Sequence, residues 1–211
     1  MGRLNVLLFM ITTMQRPEEG EVRVLVSAMG VTALGTQVTG TVDAVAKDSI
    51  GFLRGDRVAF RADAPVGARV IVAEDELIGV PADVSLDAAA AIFPCALLAR
   101  SVVRQVRSIA RGDRVQVADT SVVAPFLRAW ARHLGADVVD DESDVRLDGR
   151  DIRAALALRS GHGSAQQAAA DVFAAIRAGA FDEVALSTPD EARSGSRAPV
   201  LLHPTEVTLA A

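Results

Sequence analysis

The chain has 211 residues, half of them hydrophobic, enough for one large domain or two small ones around a sizeable core. A net charge of −5 argues against a nucleic-acid partner, which would need a basic surface. One cysteine, Cys95, excludes an internal disulfide framework and suggests a reducing, cytoplasmic setting.

Residues 4–11 (LNVLLFMI) are apolar but too short to span a bilayer. They lack the basic flank and small-residue cleavage site of a signal peptide and read as a first β-strand. No transmembrane helix or membrane partner is expected. From Glu21 to Val80 the pattern is short strands and turns. VRVLVSAM (22–29) alternates and then runs apolar, TGTVDAVA (39–46) alternates with β-branched residues, and DRVAF (56–60) follows the turn Arg54-Gly55-Asp56. ARVIVAEDELIGV (68–80) holds another strand and a charged turn. Many short strands punctuated by glycine suggest a small β-barrel.

The character changes after Pro81. Ser85 and Asp87 offer helix-start chemistry before the alanine run 88–91, and Pro94 is expected to kink or break that helix. Helical pattern resumes through Val102, Val103, Val106 and Ile109 and stops at Gly112. DRVQVA (113–118) reads as a strand. Phe126, Leu127, Trp130, Ala131 and Leu134 share one helical face that Gly135 ends, and ADVVD (136–140) is a second strand, completing a βαβ unit. Residues 141–165 are polar and read as a linker or irregular connection. A further helix carries Ala169, Val172, Phe173 and Ile176 and ends at Gly179; PVLLHP (199–204) is a last short strand.

The order of these pieces carries a resemblance. Glu21-Val22-Arg23-Val24, Gly30-Val31, Gly35-x-x-x-x-Gly40-x-Val42 and Gly51-Phe52-x-x-Gly55-Asp56-Arg57-Val58 are similar to successive motifs of the medium-chain reductases and quinone oxidoreductases. Ala89-Ala90-Ala91-x-x-Pro94 resembles the helix leading into their cofactor domain, and Gly112-Asp113-Arg114-Val115-x-Val117 their first Rossmann strand. Ala131-Arg132-His133-Leu134-Gly135-Ala136 and Gly149-Arg150-Asp151-Ile152-Arg153 resemble segments of polyketide-synthase enoylreductase domains in particular. The resemblance covers residues 20–205 in order. It implies a mixed α/β fold: a GroES-like β-barrel (residues 1–85) followed by a much reduced, truncated Rossmann-like α/β layer with a C-terminal helix and strand (86–211).

The departures from that family are informative. In register, the glycines of its nucleotide-binding turn fall on Ser121, Val122 and Ala124, so side chains stand where a pyrophosphate must lie. Most of the nucleotide fold between Ala136 and Gly149 is absent. NADPH binding is therefore expected to be lost and no cofactor is expected. The family glutamate is Gln37, and the chain has no tyrosine to donate a proton. No cysteine cluster or ligand spacing supports a metal, and Cys95 reads as a packed core thiol.

A cofactor-free cleft of this descent is expected to hold a small polyketide-like molecule. Asp63 and Asp119 are candidate acid–base groups and Arg61 a candidate enolate or carboxylate partner. Gln37, Thr120, Ser121 and His162 are candidate substrate contacts. Asp119-Thr120-Ser121 reads first as a helix cap and His162 first as part of a flexible exposed loop, while Arg61 and Asp63 fit an exposed turn as well. Three functions follow: a non-redox cyclase or isomerase of polyketide or antibiotic biosynthesis, a non-catalytic binding or scaffold remnant, or an NADPH-dependent quinone or enoyl reductase. A homodimer is expected, because a shortened sheet leaves an edge needing cover.

Overall fold

The computed structural model describes residues 16–64, 66–158, 162–194 and 198–204, the side chains of 162–164, 192 and 193 excepted. The strand expected at 4–11 lies outside the described residues. The described residues divide into two compact units: the first gathers 16–31, those of Gly35–Ala91 and 200–204; the second gathers Thr32–Leu34 and those of Ile92–Pro199.

The first unit is an antiparallel sheet. Strands β1 (Glu21–Thr32), β2 (Gly35–Val45), β3 (Arg57–Ala62), β4 (Arg69–Ala73) and β5 (Ile78–Gly79) lie in the order β4-β1-β2-β3-β5, and β9 (Val200–Leu202) joins through β1. Alternation decides which side chains go inward. Val22, Val24 and Val26 of β1 meet Val38, Val42, Val58, Phe60, Val72 and Leu77 in one core. Polar residues of β1, β2 and β4 are tied to one another: Asp43 accepts from Arg23 Nε at 2.7 Å and from Arg69 Nε at 2.9 Å. The last strand, PVLLHP in sequence, pairs antiparallel with Met29–Val31 of its own chain.

Helix α1 (Leu86–Ser101) crosses the boundary between the units, which falls after Ala91. Ser85 Oγ accepts the Ala88 N–H at 3.1 Å at its start, as the sequence suggested. Of the expected kink or break, the break does not occur: the helix is continuous through Pro94. Proline removes a donor to the carbonyl four residues back and costs about 3 kcal/mol in a helix interior. Burial of Ala89, Ala90, Ala91, Phe93, Cys95 and Ala96 around it offsets that cost. A π-helical segment, Val102–Val106, follows. By length and composition Leu86–Val106 could cross a membrane, but more than half of it is buried within the protein, as in a core helix.

The second unit holds a parallel layer. β6 (Arg114–Val117) lies between β7 (Asp137–Val138) and β8 (Val145–Leu147) and is parallel to both. Helix α2 (Ala124–His133) connects β6 to β7, the βαβ unit read from the sequence. Its buried face carries Phe126, Leu127, Trp130 and Ala131, and Trp130 Nε1 donates to Ala96 O at 2.7 Å. Residues 141–165 are not an irregular connection: they contain β8 and helix α3 (Gly149–Ala157). A capping box starts α3, with Asp148 accepting the Arg150 N–H at 2.7 Å and Asp151 accepting the Asp148 N–H at 2.9 Å. Acidic composition masked this start because both capping residues are aspartates. Helix α4 (His162–Arg177) packs Phe173 on Phe93 at 5.1 Å and Asp171 on Arg100 at 2.5 Å; α5 (Pro189–Arg193) follows.

Candidate functional site

The sequence-predicted residues divide between the units. In the first, Gln37 and Arg61 are register partners across β2 and β3. Gln37 is buried, and its Nε2 donates to Phe60 O at 2.9 Å. Arg61 is exposed and folds its guanidinium over Gly35, within 3.2 Å of the point where a Cβ would stand. Asp63 is exposed in the bend after β3.

In the second unit the structure brings Asp119 and Ser121 together. Both lie in the turn between β6 and α2. Asp119 Oδ2 accepts the Ser121 backbone N–H at 2.9 Å and also the Ser121 hydroxyl. Ser121 Oγ accepts the Val123 N–H at 3.2 Å, and Ser121 O accepts the Ala124 N–H at 3.1 Å. Between capping and chemistry, which the sequence left open, the hydrogen bonds describe a turn closed on itself just before the helix. Val123 stands at the helix start with no side-chain cap. Thr120 is exposed on the same turn. His162 opens α4, and its side chain lies outside the described residues.

This turn borders a second helix start. The strand order β7-β6-β8 reverses at β6, and in open α/β layers ligands bind outside the carboxyl ends of strands at such a point. β6 leads into α2, and β8 leads into α3. At the first residue of α3, the vacant Cβ position of Gly149 is 3.6 Å from Arg153 Nη1 and 3.8 Å from Asp119 Oδ1. Beside it, the Arg150 N–H outweighs desolvation and holds the Asp148 carboxyl below the usual carboxylate range.

The sequence did not point to a groove of about 590 Å³ formed by α2 and residues 179–184. Arg128, Arg132 and His133 line one side of it, Asp182 and Glu183 the other. Arg132 and Glu183 approach to 3.8 Å, and both are largely exposed. Among the described residues no group of three His, Cys, Asp or Glu side chains could hold a metal ion. Burial pushes the Cys95 thiol up to about 12, which keeps it protonated and unreactive.

An antiparallel sheet in one unit and a small parallel α/β layer in the other are shared with solved reductases. Half of the chain is similar in sequence to a quinone oxidoreductase, and the fold is similar to that of solved reductases. A stretch of 110 residues, 50% of the chain, is 31% identical to a quinone oxidoreductase of Pseudomonas aeruginosa but spans only 34% of that protein. The crystal structure of a 2-haloacrylate reductase superposes with a TM-score of 0.68 at 16% identity, over 90% of this chain and 92% of that one. A mycobacterial protein solved with NADPH gives a TM-score of 0.65 at 20% identity, over 90% and 93% of the two chains. No family profile matches the chain.

NADPH is the cofactor this fold implies, and the turn after β6 is where its pyrophosphate would lie. The residues there do not fit it. A phosphate needs open backbone N–H groups and no competing anion. Here the N–H groups of Ser121, Val123 and Ala124 are already bonded within the turn, Pro125 has none, and the Asp119 carboxylate sits among them.

Proposed function

We propose that the chain binds conjugated carbonyl compounds on a reductase-derived fold, and does so without a dinucleotide. One observation carries the reading: every residue from Ala118 to Pro125 bears a side chain, so nothing in the turn lets a backbone approach a pyrophosphate. Ser121, Val122 and Ala124 stand at the positions where the enoylreductase resemblance places glycine. The ligand class comes from the relatives. Quinones and 2-haloacrylates, the compounds in their names, share an alkene conjugated to a carbonyl or carboxylate. A polyketide-like enoyl chain has the same conjugation. Ring closure or isomerisation is a finer version of this reading, to which the relatives lend no support.

Isothermal titration tests the proposal with NADPH and, separately, with tetramethyl-benzoquinone, whose ring has no open position for adduct formation. The expected result is heat with the quinone and none with NADPH. A protein that takes neither the quinone nor an enoyl thioester would overturn it.

The second reading, an NADPH-dependent quinone or enoyl reductase, is favoured by the 31% identity to a quinone oxidoreductase and by the NADPH-bound structural relative. A micromolar dissociation constant for NADPH, with loss of its absorbance when the quinone is added, would establish this reading instead.

A further inference from the structure

We infer that Asp119 is a built-in counter-ligand, an internal anion that occupies the crevice at the ends of β6 and β8 and closes it to phosphates. The inference deepens the dinucleotide-free reading above and rests on it. The crevice joins groups that attract an anion to groups that bar one: Asp148 already accepts the Arg150 N–H at the start of α3, and the turn before α2 bonds its own N–H groups. Two helices begin beside it, and helix N-termini carry partial positive charge. The guanidinium of Arg153 also comes close to the vacant Gly149 Cβ position, 3.6 Å from it, as Asp119 Oδ1 does at 3.8 Å.

Asp119 answers that field from within the chain. Its Oδ2 takes the Ser121 N–H and hydroxyl, while Oδ1 faces the start of α3. A carboxylate so placed acts in two ways. It uses a donor that a phosphate oxygen would need, and it repels any second anion at short range, where the surroundings screen less well than bulk water. Ser121 completes the closure by turning its own oxygen to the Val123 N–H. The preference of the crevice is thereby inverted: an incoming phosphate meets a fixed negative charge.

The test uses the full chain, with inorganic pyrophosphate as the probe, in three forms: wild type, Asp119→Asn and Asp119→Gly. Asparagine keeps an oxygen acceptor for the Ser121 N–H and removes only the charge; glycine removes the whole side chain. Binding is read by calorimetry, and folding by circular dichroism and melting temperature. Wild type is expected to show no pyrophosphate binding. Asp119→Asn should gain at least about tenfold in association constant, the scale of relieving one like-charge contact near a protein surface. Asp119→Gly, if folded, should gain as much or more; if it does not fold, the asparagine variant decides. Folded Asp119→Asn that binds pyrophosphate no better than wild type would overturn the counter-ligand. NADPH binding by wild type would instead overturn the dinucleotide-free reading on which the inference rests, so the two failures are told apart.

Discussion

At the scale of single residues, Gly30 and Pro94 explain each other. Pro94 has no N–H for the carbonyl of Ala90, four residues back in α1. That carbonyl oxygen lies 1.9 Å from the position a Cβ on Gly30 would occupy. The Gly30 Cα–H therefore points at the oxygen to which Pro94 offers no donor, a contact of the weak Cα–H···O kind. The replacement Gly30→Ala would drive a methyl into backbone that cannot turn aside. It is expected to cost about 3 kcal/mol, read from urea unfolding, because overpacking against rigid backbone lies at the upper end of its usual range. A loss below about 0.5 kcal/mol would mean that β1 or α1 shifts freely. The sequence showed Pro94 plainly and pointed to a kink or a break as its consequence. It could not show Gly30 lying against Ala90, because that pairing joins residues sixty positions apart.

Asp43 sets a pH dependence at the same scale. Burial pushes its carboxyl up, but the hydrogen bonds and charges of Arg23 and Arg69 outweigh that and leave it below the ordinary value. A depressed folded-state value means that the unfolded chain holds its proton more tightly. The stabilisation is then fully present above the unfolded value of about 4 and is lost as pH falls through the lower folded value. Asp43→Asn should cost about 2 kcal/mol at neutral pH, as for loss of hydrogen bonds to a charged group. The gap between variant and wild type should shrink steadily below about pH 4. Parallel stability curves for the two proteins down to strongly acid pH would contradict this role.

At the scale of elements, α3 hangs on Asp151. Its carboxylate is almost fully buried, accepts Arg107 Nε at 2.7 Å and takes the Asp148 N–H at 2.9 Å. One side chain thus caps the helix and ties it to the segment that follows α1. Asp151→Ala should cost about 2–3 kcal/mol, combining loss of a cap with loss of a charged hydrogen bond. Arg107→Ala should cost less, since the arginine is half exposed. A double-mutant cycle should find the two effects less than additive, and amide exchange in α3 should accelerate in both. Strict additivity would separate the pair. Legibility in sequence follows chemistry here. β1 was readable from Val22, Val24 and Val26, and α2 from Phe126, Leu127 and Trp130, because their burial repeats with the period of the element. β8 and α3 were not, because three strand residues hold no period and the Asp148–Asp151 box lies in a run of acidic residues that resembles a solvated loop. The candidate site was half legible: Asp119 and Ser121 were singled out, but their bond to each other and the approach of Gly149 and Arg153 depend on β8 lying beside β6.

At the scale of the whole molecule, self-association is the open expectation, and the strands give it a physical basis. Among the described residues β9 takes one partner, β1, through Met29–Val31. In the parallel layer β7 and β8 are outer strands of two and three residues. Exposed strand edges present unpaired backbone groups that proteins cover or shorten. Shortness protects β7 and β8. β9 is short as well, but Val200, Leu201 and Leu202 are apolar and only half-buried, a poor surface to leave against water. We propose that β9 meets β9 of a second copy in a two-fold homodimer, in which the same residues face each other across the axis. Static light scattering should give twice the chain mass at working concentration. Leu201→Lys should shift the mass toward the monomer while leaving the far-ultraviolet spectrum unchanged, because a charge at a shared apolar edge is desolvated twice in a two-fold pair. A wild-type chain that scatters as a monomer across the concentration range would remove the dimer, and a Leu201→Lys dimer of undiminished stability would move its interface away from β9.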